Sequence, residues 1–354
     1  MMESKAFWRA GDDGRALCTV CPRECALQEG QRGLCYVRMN HGGAVVLEAY
    51  GRSSGFCVDP IEKKPLHHFL PGTPVLSFGT AGCNLTCKFC QNWEISKARD
   101  QDALTTQVAP EAVARAAQQT RSRSVAYTYN DPVIFLEYAM DCAQACREVG
   151  VRSVAVTAGY IQEKPREALF AQMDAANVDL KAFSETFYRK VAGGHLQNVL
   201  DTLIYLKHHT TVWFEITTLL IPGHNDSESE LQAMTQWIVD NLGVDVPLHF
   251  SAFHPDFKMR NLPRTPMATL QQARRIARGN GLRYVYLGNV RDHESATTYC
   301  PGCGATLIGR VSYELDQWGL DAKGACRRCG TQAAGVFEAQ PGSWGARRLP
   351  IRIV

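Results

Sequence analysis

Short apolar runs recur from residue 73 onward: VLSFGT, VAYTYN, VAVTAG, VDLKAF, FEITTL, LHFSAF and YVYLGN. Most are separated by stretches with helical periodicity and helix start signals, which predicts parallel strands joined by crossover helices rather than an antiparallel sheet. Asp131 and Pro132 supply a cap and a first-turn proline for VIFLEYAMDCAQACREVG, which Gly150 closes. A second helix starts at Asp226 or Ser227 and stops at Gly243; a third, PMATLQQARRIARGNG, stops at Gly281. Six or seven such units without an eighth predict an α/β fold, a partial and open (β/α)6-7 barrel. Active groups then gather at the C-terminal ends of its strands.

The flanks read differently. Residues 1–72 are weakly periodic and cysteine-rich, and residues 293–354 carry two cysteine knuckles, so the expected organisation is an N-terminal lobe, a barrel over 73–292 and a C-terminal zinc-ribbon-like lobe. Within the first flank, YGRSSGFCVDPIEKKPLHHFLPG, with the paired His67 and His68, has no clean period and reads as a surface connector. A sharper reading lets Asp59, Glu62, Lys63 and Lys64 line the approach to the loop that follows.

A chain of 354 residues at 45% hydrophobic can bury a full core. Its net charge of +3, with no block of Lys and Arg, argues against a nucleic-acid stripe. Acidic residues stand where a secretory signal would have its apolar run, and no apolar segment approaches a membrane span, so a cytoplasmic protein is expected. In such a chain, clustered cysteines suggest metal rather than disulfides. Cys142 and Cys146 lie four apart on the first of these helices and read as small core residues, with Cys57 also outside the clusters.

Chemistry concentrates in GTAGCNLTCKFCQNW, residues 79–93, with thiols at Cys83, Cys87 and Cys90. Closed zinc sites want four protein ligands, whereas three thiolates around an iron-sulfur cube leave one iron open for a small molecule. Gly79 and Gly82 allow backbone to approach a cluster closely. In the N-terminal lobe, Cys18, Cys21, Cys25 and Cys35 could hold structural zinc or a second iron-sulfur cluster. At the other end, Cys300 with Cys303 and Cys326 with Cys329 form two pairs, the pattern of a closed zinc site.

CNLTCKFC resembles the cluster loop of the radical S-adenosylmethionine (radical SAM) superfamily. That resemblance implies a [4Fe-4S] cluster on Cys83, Cys87 and Cys90 whose electron cleaves S-adenosylmethionine to a 5'-deoxyadenosyl radical, which abstracts hydrogen from a substrate. Taken in order, DPIEKKPLHHFLPG, the cluster loop, AYTYNDP, VDLKAF, LLIPGHND, HFSAFHPD, YVYLGNV and TYCPGCG resemble the AmmeMemoRadiSam system radical SAM protein family, related to the pyruvate formate-lyase activating enzyme. The family implies Memo-type and AMMECR-type partner proteins and an electron donor, and leaves the substrate open. Activation of a glycyl-radical enzyme is the alternative reading.

The same resemblance assigns residues to the cofactor. Phe89 accompanies the last thiol, and TYNDP, with Thr128, Tyr129, Asn130 and Asp131, resembles the strand end that takes the amino group of S-adenosylmethionine. Asp131 also reads as a helix cap. At VTAGYI, Val156 and Ala158 stand where activating-enzyme relatives carry polar groups, so only Thr157 carries over. Lys181 would meet the cofactor carboxylate, and Asp179 its ribose or the lysine. On the substrate side, His224, Asn225, Asp226, His254 and Asp256 are expected around the open end, with Arg291 as an anion clamp or a solvated charge.

Overall fold

A computed structural model of the chain describes residues 7–11, 13–98 and 106–353. Seven parallel strands lie side by side in sequence order: β1 (Pro74–Gly79), β2 (Ser124–Tyr127), β3 (Arg152–Thr157), β4 (Ala175–Asp179), β5 (Trp213–Leu220), β6 (Leu248–Ala252) and β7 (Val285–Gly288). Six helices carry the crossovers: α1 (Pro110–Gln119), α2 (Leu136–Glu148), α3 (Glu163–Phe170), α4 (Leu196–His209), α5 (Glu228–Leu242) and α6 (Met267–Gly279). Among the described residues β7 pairs only with β6, so the barrel stays open. The other edge is extended by antiparallel strands from both flanks: Arg52–Pro60 pairs with β1, and Leu349–Pro350 pairs with Arg52–Pro60.

Local chemistry sets the boundaries. Asp131 accepts a hydrogen bond from the Val133 amide at 3.1 Å and opens a 3-10 turn, Pro132–Phe135, that runs into α2. Ser227, rather than Asp226, caps α5 through the Glu230 amide, and Gly243 at φ +88° ends it. Cys142 and Cys146 are fully buried on the core side of α2. One boundary departs from the sequence reading. β4 runs over 175–179, not 178–183, because the Leu180 amide turns back to the Val178 carbonyl at 3.2 Å. Lys181 therefore follows the strand instead of lying within it.

Residues 61–70 are not a surface connector. Ile61, Leu66, Phe69 and Leu70 pack against Val75, Ala126, Val154 and Ala175 and plug the N-terminal end of the barrel. Inside the plug, Glu215 accepts from the His67 amide (3.0 Å), the His68 amide (2.7 Å) and His249 Nε2 (2.7 Å). A buried carboxylate with this many donors stays ionised despite burial, and its pKa is lowered. Periodicity misses such a segment because a plug is buried all round and has no solvent face.

The C-terminal ribbon, built on Thr298–Tyr299, Thr306–Val311 and Glu314–Trp318, docks on this same end. Its fully buried Arg310 donates to the His67 carbonyl at 2.5 Å and to Thr298 Oγ1 at 2.8 Å. The N-terminal lobe docks beside the mouth instead. There Arg38 is buried against α2, donating to the Ile134 carbonyl and pairing with Glu137.

Candidate active site

The loop after β1 enters the mouth under tight steric control. A Cβ on Gly79 would meet the Thr128 carbonyl at 2.5 Å, and Gly82 sits at φ +99° with its would-be Cβ 2.1 Å from the Cys35 carbonyl. Asn130 fastens the loop, accepting from the Thr80 amide (3.2 Å) and donating to the Gly82 carbonyl (2.9 Å). Its carboxamide is thus committed to the loop. From the other side, the Thr86 and Lys88 amides donate to the Ala192 and Val191 carbonyls at 2.9 Å each. Ala192 and Val191 belong to a π-helical turn, Tyr188–Ala192, followed by Gly193 at φ +75°. That cradle escaped the sequence reading. Its one signal is the Gly193-Gly194 pair, where added Cβ atoms would meet Thr86 Oγ1 at 1.9 Å and Leu85 Cδ2 at 2.8 Å.

Cys83, Cys87 and Cys90 face a cavity of about 1120 Å³, its open mouth included. Burial pushes the Cys83 thiol up to about 12. Three clustered thiolates at this position therefore need a positive partner, which a metal cluster supplies.

Across the cavity, Lys181 Nζ lies 2.8 Å from Asp179 Oδ2 and 5.9 Å from the centre of the Phe89 ring. Burial alone would favour neutral lysine, but the Asp179 and Cys87 charges outweigh it and raise the pKa, so the ammonium is held. The Lys181 amide is in turn bonded to Tyr188 Oη at 3.0 Å.

Asp131 joins two strand ends. It accepts from Thr157 Oγ1 (2.8 Å) and the Ala158 amide (3.0 Å) besides capping its helix. Burial raises its pKa, opposed by these hydrogen bonds. Three further lining residues, Thr217, Ser251 and Asn289, were not singled out from the sequence. Thr217 Oγ1 is buried with no hydrogen-bond partner among the described residues.

The substrate-side candidates divide. Asn225 is buried and ties the Lys181 and Leu219 carbonyls together, while Asp226 accepts the Gly223 amide within its turn. Asp256 accepts from Trp93 Nε1 at 3.1 Å and clasps the cluster loop's end, where Trp93 stacks on Phe257. His224 and His254 are exposed and do not line the cavity. Arg291 lines an adjoining cleft of about 1420 Å³ on the open side of the barrel, which shares Pro65, Ser251 and Asn289 with the main cavity. Lys63 and Glu62 also line that cleft, whereas Asp59 pairs with Lys64 at 2.8 Å behind Tyr129.

In the ribbon, Cys300 Sγ lies 3.5 Å from Cys329 Sγ, and Cys303 Sγ lies 3.8 Å from Cys326 Sγ. All four sulfurs fall within 4.8 Å of one another. Tetrahedral thiolates at about 2.3 Å from zinc stand about 3.8 Å apart, so this set fits a small single ion.

With this geometry in place, comparison with known proteins is decisive on class. The model of the radical SAM superfamily matches residues 78–234, from the end of β1 through the start of α5. The chain belongs to the radical SAM superfamily. It is a radical SAM enzyme, a class that works with an iron-sulfur cluster and S-adenosylmethionine. A protein of Methanocaldococcus jannaschii, described as uncharacterized, is 40% identical over 330 residues, covering 93% of this chain and 98% of that protein. Among solved structures, a domain of the pyruvate-formate lyase-activating enzyme from Bacteroides vulgatus is 16% identical, with 47% of this chain and 99% of that one covered and a TM-score of 0.42. A radical SAM methyltransferase from Sphaerobacter thermophilus is 16% identical over 62% of this chain and 67% of that one, with a TM-score of 0.48. No helix among the described residues is long and apolar enough to cross a membrane.

Proposed function

We propose that Cys83, Cys87 and Cys90 hold the [4Fe-4S] cluster of this radical SAM enzyme, and that S-adenosylmethionine occupies the cavity above them. The observation that carries this reading is a set of three thiols, with no fourth cysteine or histidine lining the same cavity among the described residues, facing a held ammonium on Lys181. Cys83, Cys87 and Cys90 would hold the cluster, which would supply the one electron needed for cleavage of the sulfonium into methionine and a 5'-deoxyadenosyl radical. The protein's own residues do the positioning. Lys181 takes the cofactor carboxylate as a charge-assisted partner, and Asp179 fixes the lysine and faces the ribose. Backbone carbonyls at Thr128–Asn130 accept from the ammonium, while Asp131 and Thr157 hold the two strand ends in register. Phe89 covers the lysine.

The substrate enters by the adjoining cleft, in which Arg291 is an exposed cation, and Memo-type and AMMECR-type proteins act with this enzyme, fed by a low-potential electron donor. Cys300, Cys303, Cys326 and Cys329 bind zinc and brace the ribbon against the barrel plug. Anaerobic reconstitution with iron and sulfide, followed by reduction with S-adenosylmethionine present, should yield 5'-deoxyadenosine. Cys87→Ala should abolish its formation, and cleavage retained in that variant would place the cluster elsewhere.

A further inference from the structure

The N-terminal thiols contrast with the ribbon thiols. Among the described residues, the ribbon set is the one group of three or more Cys, His, Asp or Glu whose ligand atoms all lie within 4.8 Å. Cys18, Cys21, Cys25 and Cys35 nevertheless line a single cavity of about 370 Å³. They surround one space, yet no three of their sulfurs all lie within 4.8 Å of one another, against about 3.8 Å for the thiolates of one zinc ion. Nor do the loop thiols Cys83, Cys87 and Cys90 all lie within 4.8 Å of one another. Four corner irons of a cube separate their thiolates further than one central ion does, so the spacing sorts the three cysteine sets by what they can hold.

The surroundings agree. Val20, Val133 and Ile134 give the cavity apolar walls, and two arginines, Arg23 and Arg38, reach it. Arg38 is neutralised by Glu137, and Arg23 Nη2 is buried beside Gly193 with no hydrogen-bond partner among the described residues. Arg23 Nε meanwhile donates to the carbonyl of Asn84, the residue after Cys83, at 3.0 Å, and Asn84 itself lines the cavity. With the Cys35 carbonyl packed against Gly82, the two thiol loops touch through backbone on both sides of Cys83.

We infer that Cys18, Cys21, Cys25 and Cys35 ligate a second iron-sulfur cluster, of the four-thiolate [4Fe-4S] kind, directly beside the loop that carries Cys83. This site is separate from the cofactor site and is tested apart from it. The full chain with Cys83, Cys87 and Cys90 all changed to Ala is reconstituted anaerobically with iron and sulfide, then assayed for iron, sulfide and zinc. It should stay brown and keep about four irons per chain, against about eight in the parent, with one zinc in both as a check that the ribbon is folded. Further changing Cys18 and Cys35 to Ala should remove the remaining iron and leave the ribbon zinc in place. In the fully reduced parent, electron paramagnetic resonance should show spin coupling between neighbouring clusters that the triple variant lacks. An iron-free triple variant that keeps its ribbon zinc, or one holding a second zinc in place of iron, would overturn the inference.

Discussion

Lys181 owes its protonation to the Asp179 carboxylate 2.8 Å away, with a further contribution from Cys87, in a place where burial alone would discharge it. A side chain kept charged at such cost is suited to meeting an anion. Lys181→Met should therefore weaken S-adenosylmethionine binding by roughly 10–100-fold, about 1.4–3 kcal/mol, with iron content unchanged, as read by equilibrium binding to the reconstituted enzyme. Unchanged affinity would remove the lysine from the cofactor site. Asp131 accepts from the Val133 and Ala158 amides and from Thr157 Oγ1, which meets the capping half of its dual expectation.

At the scale of elements, the cluster loop is held between Asn130 and the π-helical turn ending at Gly193. Gly193→Ala would force a Cβ into Thr86 and an L residue into left-handed backbone, a strain of roughly 1–3 kcal/mol. Reconstituted iron per chain should fall while the ribbon zinc persists, and full iron loading would show that the cradle is dispensable. The strands, α2 with its aspartate cap, and the glycine stops were legible because each has a local cause: alternation, a capping side chain, or positive φ. The cradle was not, for its fit depends on Gly193 meeting Thr86, more than a hundred residues away in sequence. The plug was misread for a related reason: His67 and His68 look solvent-ready in sequence, and only Glu215, His249 and Arg310 from distant segments make their burial tolerable. The loop and ribbon cysteines were told apart by their number and pairing, whereas the four N-terminal thiols left zinc and an iron-sulfur cluster both open.

For the whole molecule, the plug is the keystone between barrel and ribbon, and it should make stability depend on pH. Burial lowers the pKa of His68 from 6.5 to about 4, with its ring hydrogen-bonded to Tyr286 and the Ala334 carbonyl. The unfolded chain binds a proton there below 6.5 and the folded chain does not, so this contribution is complete above 6.5 and is lost as pH falls toward 4. At 1.36 kcal/mol per unit it amounts to about 3 kcal/mol. Denaturant unfolding of wild type should lose more stability between those pH values than His68→Asn does. Equal losses would show that His68 is not the titrating group.

The central claim is that the three-thiolate cluster keeps a place for S-adenosylmethionine. It is tested most directly by the resonance spectrum of the reduced enzyme, followed through the component that disappears in Cys83→Ala. Adding S-adenosylmethionine should shift that component's g values. A spectrum that stays the same at saturating cofactor would contradict the account.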